Sequence, residues 1–402
     1  MAKLLEGITV VAASLAEAGP VATQILALLG ADVYHIERPS KTMEQAIFNH
    51  DGLLIRNCNK KSLTLDTKTE EGREIMWKLL EKADVFYENF APGAWERMGF
   101  SYEEVKKRNP DIIYVTLKGF SSYSPWAKCI AIDPIACTSG GSAYLSGYED
   151  FLPMLCAINV GDSGAGIHSG LAVLLALLHK KVTGRGQFVE TPMQESVAAE
   201  CRRAFAEYYA TGNVRRAGNS YRGVKPTAPW NLYPTQGSDI TGNFVAITCS
   251  PEEDSPDFEN LCRAMDRMDL LEDPRFATPA LRYENRLALD VEISHWTYRF
   301  DKEEVMRVLG LEYKVPVGMV RSLAELRDDP LLNRELGIIQ KPEGDPLFPD
   351  MVFPVIPVQA SGIEPIKAMS YRFHGSSNEE VYHGMLGLSL EQLSEMKEKH
   401  II

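Results

Sequence analysis

The segment Val160-Gly161-Asp162-Ser163-Gly164-Ala165-Gly166-Ile167-His168 places one carboxylate among small residues at the head of a long apolar run. Two roles fit an Asp there. It can be a helix N-cap, its oxygen accepting backbone N–H groups. It can also be a nucleophile, because the positive end of a helix favours its ionised form and carboxylates form covalent acyl intermediates. The glycines leave room for a bulky acyl group to reach it. A second glycine turn, Ser139-Gly140-Gly141, lies upstream where it could face the same cavity.

Other chemistries lack their residues. The chain opens as strand, helix, strand, with Glu37 ending the second strand. The first turn, Ala13-Ser14-Leu15-Ala16-Glu17-Ala18-Gly19-Pro20, has no G-x-G-x-x-G to bring a pyrophosphate to the helix N-terminus. A Rossmann-like fold without nicotinamide or flavin binding is therefore expected. The Walker phosphate loop, H-E-x-x-H and G-x-S-x-G are absent as well. His168 and His179 share one helix about three turns apart, and no histidine pair has metal-ligand spacing. No metal site is expected.

These residues must be held by a chain of 402 residues, long enough for two or three domains. Apolar residues are 45% and charged residues 24%, which excludes disorder and coiled coil. No uninterrupted apolar run approaches the roughly 18 residues of a membrane span, and no secretory signature opens the chain. Seven cysteines with no C-x-x-C pair argue for a reducing cytoplasm. Lys+Arg 42 against Asp+Glu 55 gives a net charge of −13, a poor basis for binding nucleic acid. A small polyanion would need a local basic pocket.

The first half alternates strands (Thr9–Ala12, Val33–Ile36, Val85–Tyr87, Ile112–Leu117) with helices (from Gly19-Pro20 to Gly30, and Thr69–Ala83). Ser101-Tyr102-Glu103-Glu104 reads as a capping box. This is the rhythm of βαβ units on a parallel sheet. Asp162 to Thr183 is the longest helix signal, so apolar from Leu171 to Leu178 that it reads as buried. A helix over Gln194–Tyr209 follows, and Tyr221–Trp230 reads as a linker. Beyond it come a strand at Phe244–Thr248 and helices at Phe258–Leu271 and Asn285–Tyr298. The expected organisation is a large α/β domain over 1–225, a small α+β domain over 226–325, and a return to the large domain over 326–402. A last helix pair lies around Gly387.

The chain resembles the class III coenzyme A transferases, the family of formyl-CoA:oxalate and carnitine CoA-transferases. The likeness runs from Leu5 to the C-terminus. It is carried by Ala18-Gly19-Pro20, Leu29-Gly30-Ala31-Asp32-Val33, Ile36-Glu37-Arg38, Asn59-Lys60-Lys61-Ser62 and Leu65-Asp66-Thr67-Lys68. Further pieces are Glu88-Asn89-Phe90-Ala91-Pro92-Gly93, Lys118-Gly119-Phe120, Ser139-Gly140-Gly141, Gly161-Asp162, Thr183-Gly184-Arg185-Gly186-Gln187, Asp273-Pro274-Arg275-Phe276 and Leu386-Gly387-Leu388-Ser389. Each piece is weak alone; their order and spacing are specific.

The resemblance implies an interlocked dimer, with a Rossmann-like large domain built from both chain ends. It implies Asp162 as the nucleophile on an acyl-CoA thioester, passing through aspartyl anhydride and aspartyl-CoA thioester intermediates. CoA is then a cosubstrate, and no permanently bound cofactor is needed. By family position Arg38, Lys68, Asn89, Phe90 and Arg97 line the CoA site, with Arg38 and Lys68 as phosphate partners. Glu17, Gly140 and Gly141 fall at the acyl end.

Glu17 stands where the oxalate enzymes carry Gln, and their glycine-rich small-domain loop is missing. A carboxylate there would repel a second carboxylate. The expected acceptor is thus larger than oxalate and partly apolar or aromatic, with succinyl-CoA a candidate donor. Carnitine-like and hydroxy-acid acceptors stay open. A racemase of the same superfamily is the rival, but Ile132 occupies the place of its proton-transferring histidine. A third reading is a silent CoA-binding subunit that pairs with a homologous partner; the presence of Asp162 weighs against it.

Overall fold

The structure, a computed structural model, describes residues 3–39, 50–216, 218–220, 225–239, 242–344, 350–371 and 373–402. Contacts divide it into two units. The first takes Met1–Gly140, Cys156–Ala199 and Pro330–Ile402; the second takes Gly141–Leu155 and Glu200–Asp329. The expected small domain at 226–325 lies inside the second unit, which also takes Gly141–Leu155 and the stretch from Glu200.

The first unit carries a six-stranded parallel sheet in the order β3-β2-β1-β4-β5-β6. Its strands are β1 (Thr9–Ala13), β2 (Asp32–Glu37), β3 (Lys61–Thr64), β4 (Val85–Glu88), β5 (Ile113–Lys118) and β6 (Gln187–Pro192). Strands β1 to β5 are buried along almost their whole length, which is why they read as short apolar runs. Strand β6 was not expected. It lies at the sheet edge, mixes polar with apolar residues and ends in Pro192, so it carries little strand signal.

The crossovers include α1 (Ala18–Leu28), α2 (His50–Asn57), α3 (Glu70–Lys82), α4 (Ala94–Arg97) and α5 (Tyr102–Arg108). Thr69 caps α3 by accepting the Gly72 N–H at 3.0 Å. Only the serine half of the expected capping box forms at α5: Ser101 Oγ accepts from Glu104 N at 3.3 Å, and the Glu104 carboxylate pairs with Lys107 instead.

Helix α6 (Asp133–Ser139) leads toward α7 (Ala165–Thr183), which a π-helical turn, Val160–Gly164, precedes. Val160–Thr183 is 24 residues long and, by length and composition, apolar enough to cross a membrane, although no single run suggested it. One face of α7 packs on α1: a Cβ on Gly166 would meet the Ala18 carbonyl oxygen at 2.7 Å, and one on Gly170 would meet Ile25 at 3.2 Å. The Ser169 hydroxyl on that face accepts from Tyr87 of β4 at 2.9 Å and Thr191 of β6 at 2.8 Å. The opposite face is a correction to the expected burial. Ile167, Leu171, Leu175, Leu178 and Val182 form a stripe at i, i+3 and i, i+4 spacing, each more than half exposed.

The expected helix over Gln194–Tyr209 is two helices, α8 (Met193–Glu200) and α9 (Arg202–Thr211), broken at Cys201. In the second unit β7 (Trp230–Asp239), β8 (Gly242–Thr248) and β9 (Val317–Met319) form an antiparallel sheet. Its core includes Tyr233, Val245, Ile247, Phe258, Leu261, Leu289 and Ile293. The sequence hid β7 behind Pro234, where its register shifts. Helices α10 (Asp257–Met265) and α11 (Arg286–Thr297) match two expected segments in part; the first stops early because Asp266 turns left-handed, φ 55°.

The last segment returns to the first unit. Tyr382 OH donates to the Thr64 carbonyl at 2.9 Å, and Asp66 N donates to the Ile401 carbonyl at 2.8 Å. The terminal helix pair is a π-helical Glu379–Met385 followed by α12 (Leu390–Glu398). Among the described residues, which include all seven cysteines, there is no disulfide.

Candidate active site

A cavity of about 870 Å³ opens at the carboxyl ends of β1 to β4, beside the point where the strand order reverses. That is where open parallel sheets bind ligands. The residues after β1 (Ser14, Leu15, Ala16), at the end of β2 (Ile36, Glu37, Arg38) and after β3 (Leu65, Thr67, Lys68) line it. Arg56 of α2, Phe90 and α4 residues Trp95 and Arg97 complete the wall. It is therefore rich in cations (Arg38, Arg56, Lys68, Arg97) in an acidic chain, with Glu37 as the acid in the lining.

Four of the expected CoA residues, Arg38, Lys68, Phe90 and Arg97, share this cavity. Asn89 borders it: its side chain is tied to the backbone of the lining residue Leu15, accepting from Leu15 N at 2.7 Å and donating to Leu15 O at 2.9 Å. It shapes the β1–α1 turn. Phe90 is placed by two side chains the sequence analysis did not single out. Lys118 donates to Glu88 at 2.6 Å and to the Phe90 carbonyl at 2.7 Å, while Glu88 accepts the Phe90 N–H at 3.0 Å. Burial raises the Glu88 pKa, against the pull of Lys118.

A buried network holds the lining residues Ser14, His35 and Glu37. His35 faces the Ser14 carbonyl at 3.0 Å and Tyr371 OH at 2.9 Å; Tyr371 OH and Ser62 Oγ reach Glu37 at 2.6 and 2.7 Å. Burial lowers the His35 pKa.

Asp162 lies within the π-helical turn, whose N-cap position is Asn159. The cap is Asp133, whose Oδ1 accepts from Gly161 N at 2.8 Å and Asp162 N at 3.2 Å. An Asp-Pro pair opening a short helix gave no hint of this. Gly161 is small for packing, not for access: a Cβ there would strike the Asp133 carbonyl at 2.7 Å. Gly164, by contrast, faces open space up to 4.0 Å.

Glu17 joins the turn. Its carboxylate accepts from Asn159 Nδ2 at 2.6 Å and from Ser163 Oγ at 2.7 Å. The expectation that the helix end would hold Asp162 firmly ionised is corrected. Burial first, then Glu17 and Asp133, raise its pKa to about 6, with Arg56 opposing. Desolvation and like charges outweigh the helix end, yet Asp162 stays mostly ionised at neutral pH.

Gly140 packs on α8, where a Cβ would meet Val197 at 2.4 Å. Gly141 takes a positive φ of 99° and belongs to the second unit. Among the described residues no three His, Cys, Asp or Glu side chains are grouped to hold a metal ion.

The family model of CoA-transferase family III matches residues 5–368. The chain belongs to that family. Within family III it is 35% identical over 423 residues to a formyl-CoA:oxalate CoA-transferase of Streptomyces coelicolor, covering all of both chains. The enzyme of the same name from Streptomyces avermitilis is 34% identical over 422 residues, again over the whole of both. The crystal structure of a CAIB/BAIF family protein from Brucella suis superposes with a TM-score of 0.79 at 27% identity, covering 93% of this chain and 97% of that one.

Proposed function

We propose that this CoA-transferase moves coenzyme A from an acyl-CoA to a carboxylic acid larger than oxalate and partly apolar or aromatic, with Asp162 as nucleophile. The observation that carries this reading is continuity: Ser14, Leu15 and Ala16 line the cationic cavity, and the next residue, Glu17, is bonded to the turn bearing Asp162. A CoA whose phosphates face Arg38 and Lys68 directs its thioester along that segment.

The ionised Asp162 oxygen attacks the thioester carbonyl, and the C–S bond breaks to release CoA thiolate. The resulting anhydride is attacked by the thiolate at the aspartyl carbon, freeing the donor acid and leaving an aspartyl-CoA thioester. The acceptor carboxylate attacks that thioester, and the returning thiolate takes the acceptor acyl group, restoring Asp162. Backbone N–H groups of the turn offer oxyanion stabilisation. No metal or redox group enters these steps. The proton transfer of a racemase has no histidine at Ile132 to carry it.

The exposed stripe of α7 supports an interlocked dimer, of two copies or with a homologous subunit, with the large domain formed from both chain ends.

Incubation with acyl-CoA donors and a panel of acids, read by mass spectrometry, is expected to show new acyl-CoAs. The rate should fall as pH drops through about 6, because protonation removes the nucleophile. No exchange under any condition would sink the reading.

Arg38→Ala should weaken acyl-CoA binding by about 1.5–3 kcal/mol, roughly 10- to 150-fold, if a charge-assisted phosphate contact is lost. Calorimetry against CoA checks this, and an unchanged Kd would place the phosphates elsewhere.

A further inference from the structure

We infer that Glu17 is a charge filter that restricts both donor and acceptor to acyl groups without a second carboxylate. This rests on the CoA-transfer reading above. The observation is the kind of partner Glu17 has. Asn159 Nδ2 and Ser163 Oγ, both neutral, hold its two oxygens at 2.6 and 2.7 Å. Among the described residues no cation pairs with it.

Those partners fix the carboxylate beside the nucleophile, three residues after Asn159 and one before Ser163. The charges influencing Asp162 are Glu17, Asp133 and Arg56, two carboxylates against one guanidinium. Asp133 is turned into the backbone it caps. Glu17 follows the segment that lines the cavity, so an acyl chain reaching Asp162 from the CoA side passes it.

The filter persists through the cycle. Asp162 loses its charge whenever it is acylated or carries CoA, whereas Glu17 takes no part in those bonds. A monocarboxylate becomes neutral on joining Asp162. A dicarboxylate brings a second anion toward Glu17 at every covalent stage, and two like charges a few ångströms apart near a protein surface differ by tenfold or more in binding. The same repulsion acts on a donor such as succinyl-CoA.

Glu17→Gln removes the charge and keeps the shape. The amide oxygen still accepts from Asn159, and the Ser163 hydroxyl can accept from the amide N–H. Transfer is measured with butyryl-CoA and succinyl-CoA as donors and with butyrate and succinate as acceptors. The wild type should favour the four-carbon monocarboxylate by at least about tenfold in kcat/KM on each side. In Glu17→Gln the ratio should narrow to within about threefold, through a rise for succinate and succinyl-CoA. Equal use of both classes by the wild type, or an unchanged ratio in the variant, would overturn the filter alone. Absence of transfer between every pair would overturn the CoA-transfer reading, and the filter with it.

Discussion

Asp162→Asn should abolish CoA transfer, by at least about a thousandfold, while melting no lower than the unmodified chain at pH 7. An amide cannot form the anhydride, so the chemical loss follows from the proposed mechanism. The stability side follows from linkage. The folded state raises the Asp162 pKa to about 6, so the folded protein binds that proton more tightly than the unfolded chain does. Above pH 6 the ionised carboxylate therefore weighs against folding, and the penalty disappears as pH falls below the ordinary carboxylate range. Asn at pH 7 removes the penalty. Asp162→Ala should also be inactive and should fold, because the cap of this helix end is Asp133 and stays in place. Trapping with hydroxylamine after acyl-CoA addition should mark the peptide containing Asp162. An active Asn variant, or a label on a different carboxylate, would end the proposal.

The second large effect concerns assembly. Ile167, Leu171, Leu175, Leu178 and Val182 expose 58, 53, 58, 58 and 78% of their surface on one face of α7. A row of this length on a helix whose other face is already packed calls for a cover, and a second copy supplies it in the proposed dimer. Leu171→Glu with Leu175→Glu would bury two charges, each at a cost of several kcal/mol. The unmodified chain should sediment as a dimer at low micromolar concentration; the double variant should be monomeric or aggregate. A stable, active monomer of the unmodified chain would refute the dimer.

The βαβ half of the chain was legible because strands buried on both faces write themselves as short apolar runs, as Val10–Ala13 and Ile113–Leu117 do. The cavity's cations were legible only through family position, since Arg38, Lys68 and Arg97 look like any exposed charge. What the sequence hid was long-range or masked by composition. Edge strand β6 and Pro-bearing β7 lack the apolar signal. Asp133 reaches Asp162 across 29 positions, and Glu17 reaches Ser163 across 146, distances over which no periodicity speaks. The burial of α7 was misjudged because an apolar helix looks alike whether its own chain or another covers it.

The cavity wall where Tyr371 meets Glu37 joins residues 334 positions apart. That separation has a consequence for the order of events during synthesis. A chain still on the ribosome and stopping short of Tyr371 has made every strand of the sheet, yet Glu37, Ser62 and Thr64 have no C-terminal partners. Loop closure over such a span is slow compared with pairing of neighbours. The β3 side of the parallel sheet thus gains these partners only once residues 371–378 have been made, well after its own strands.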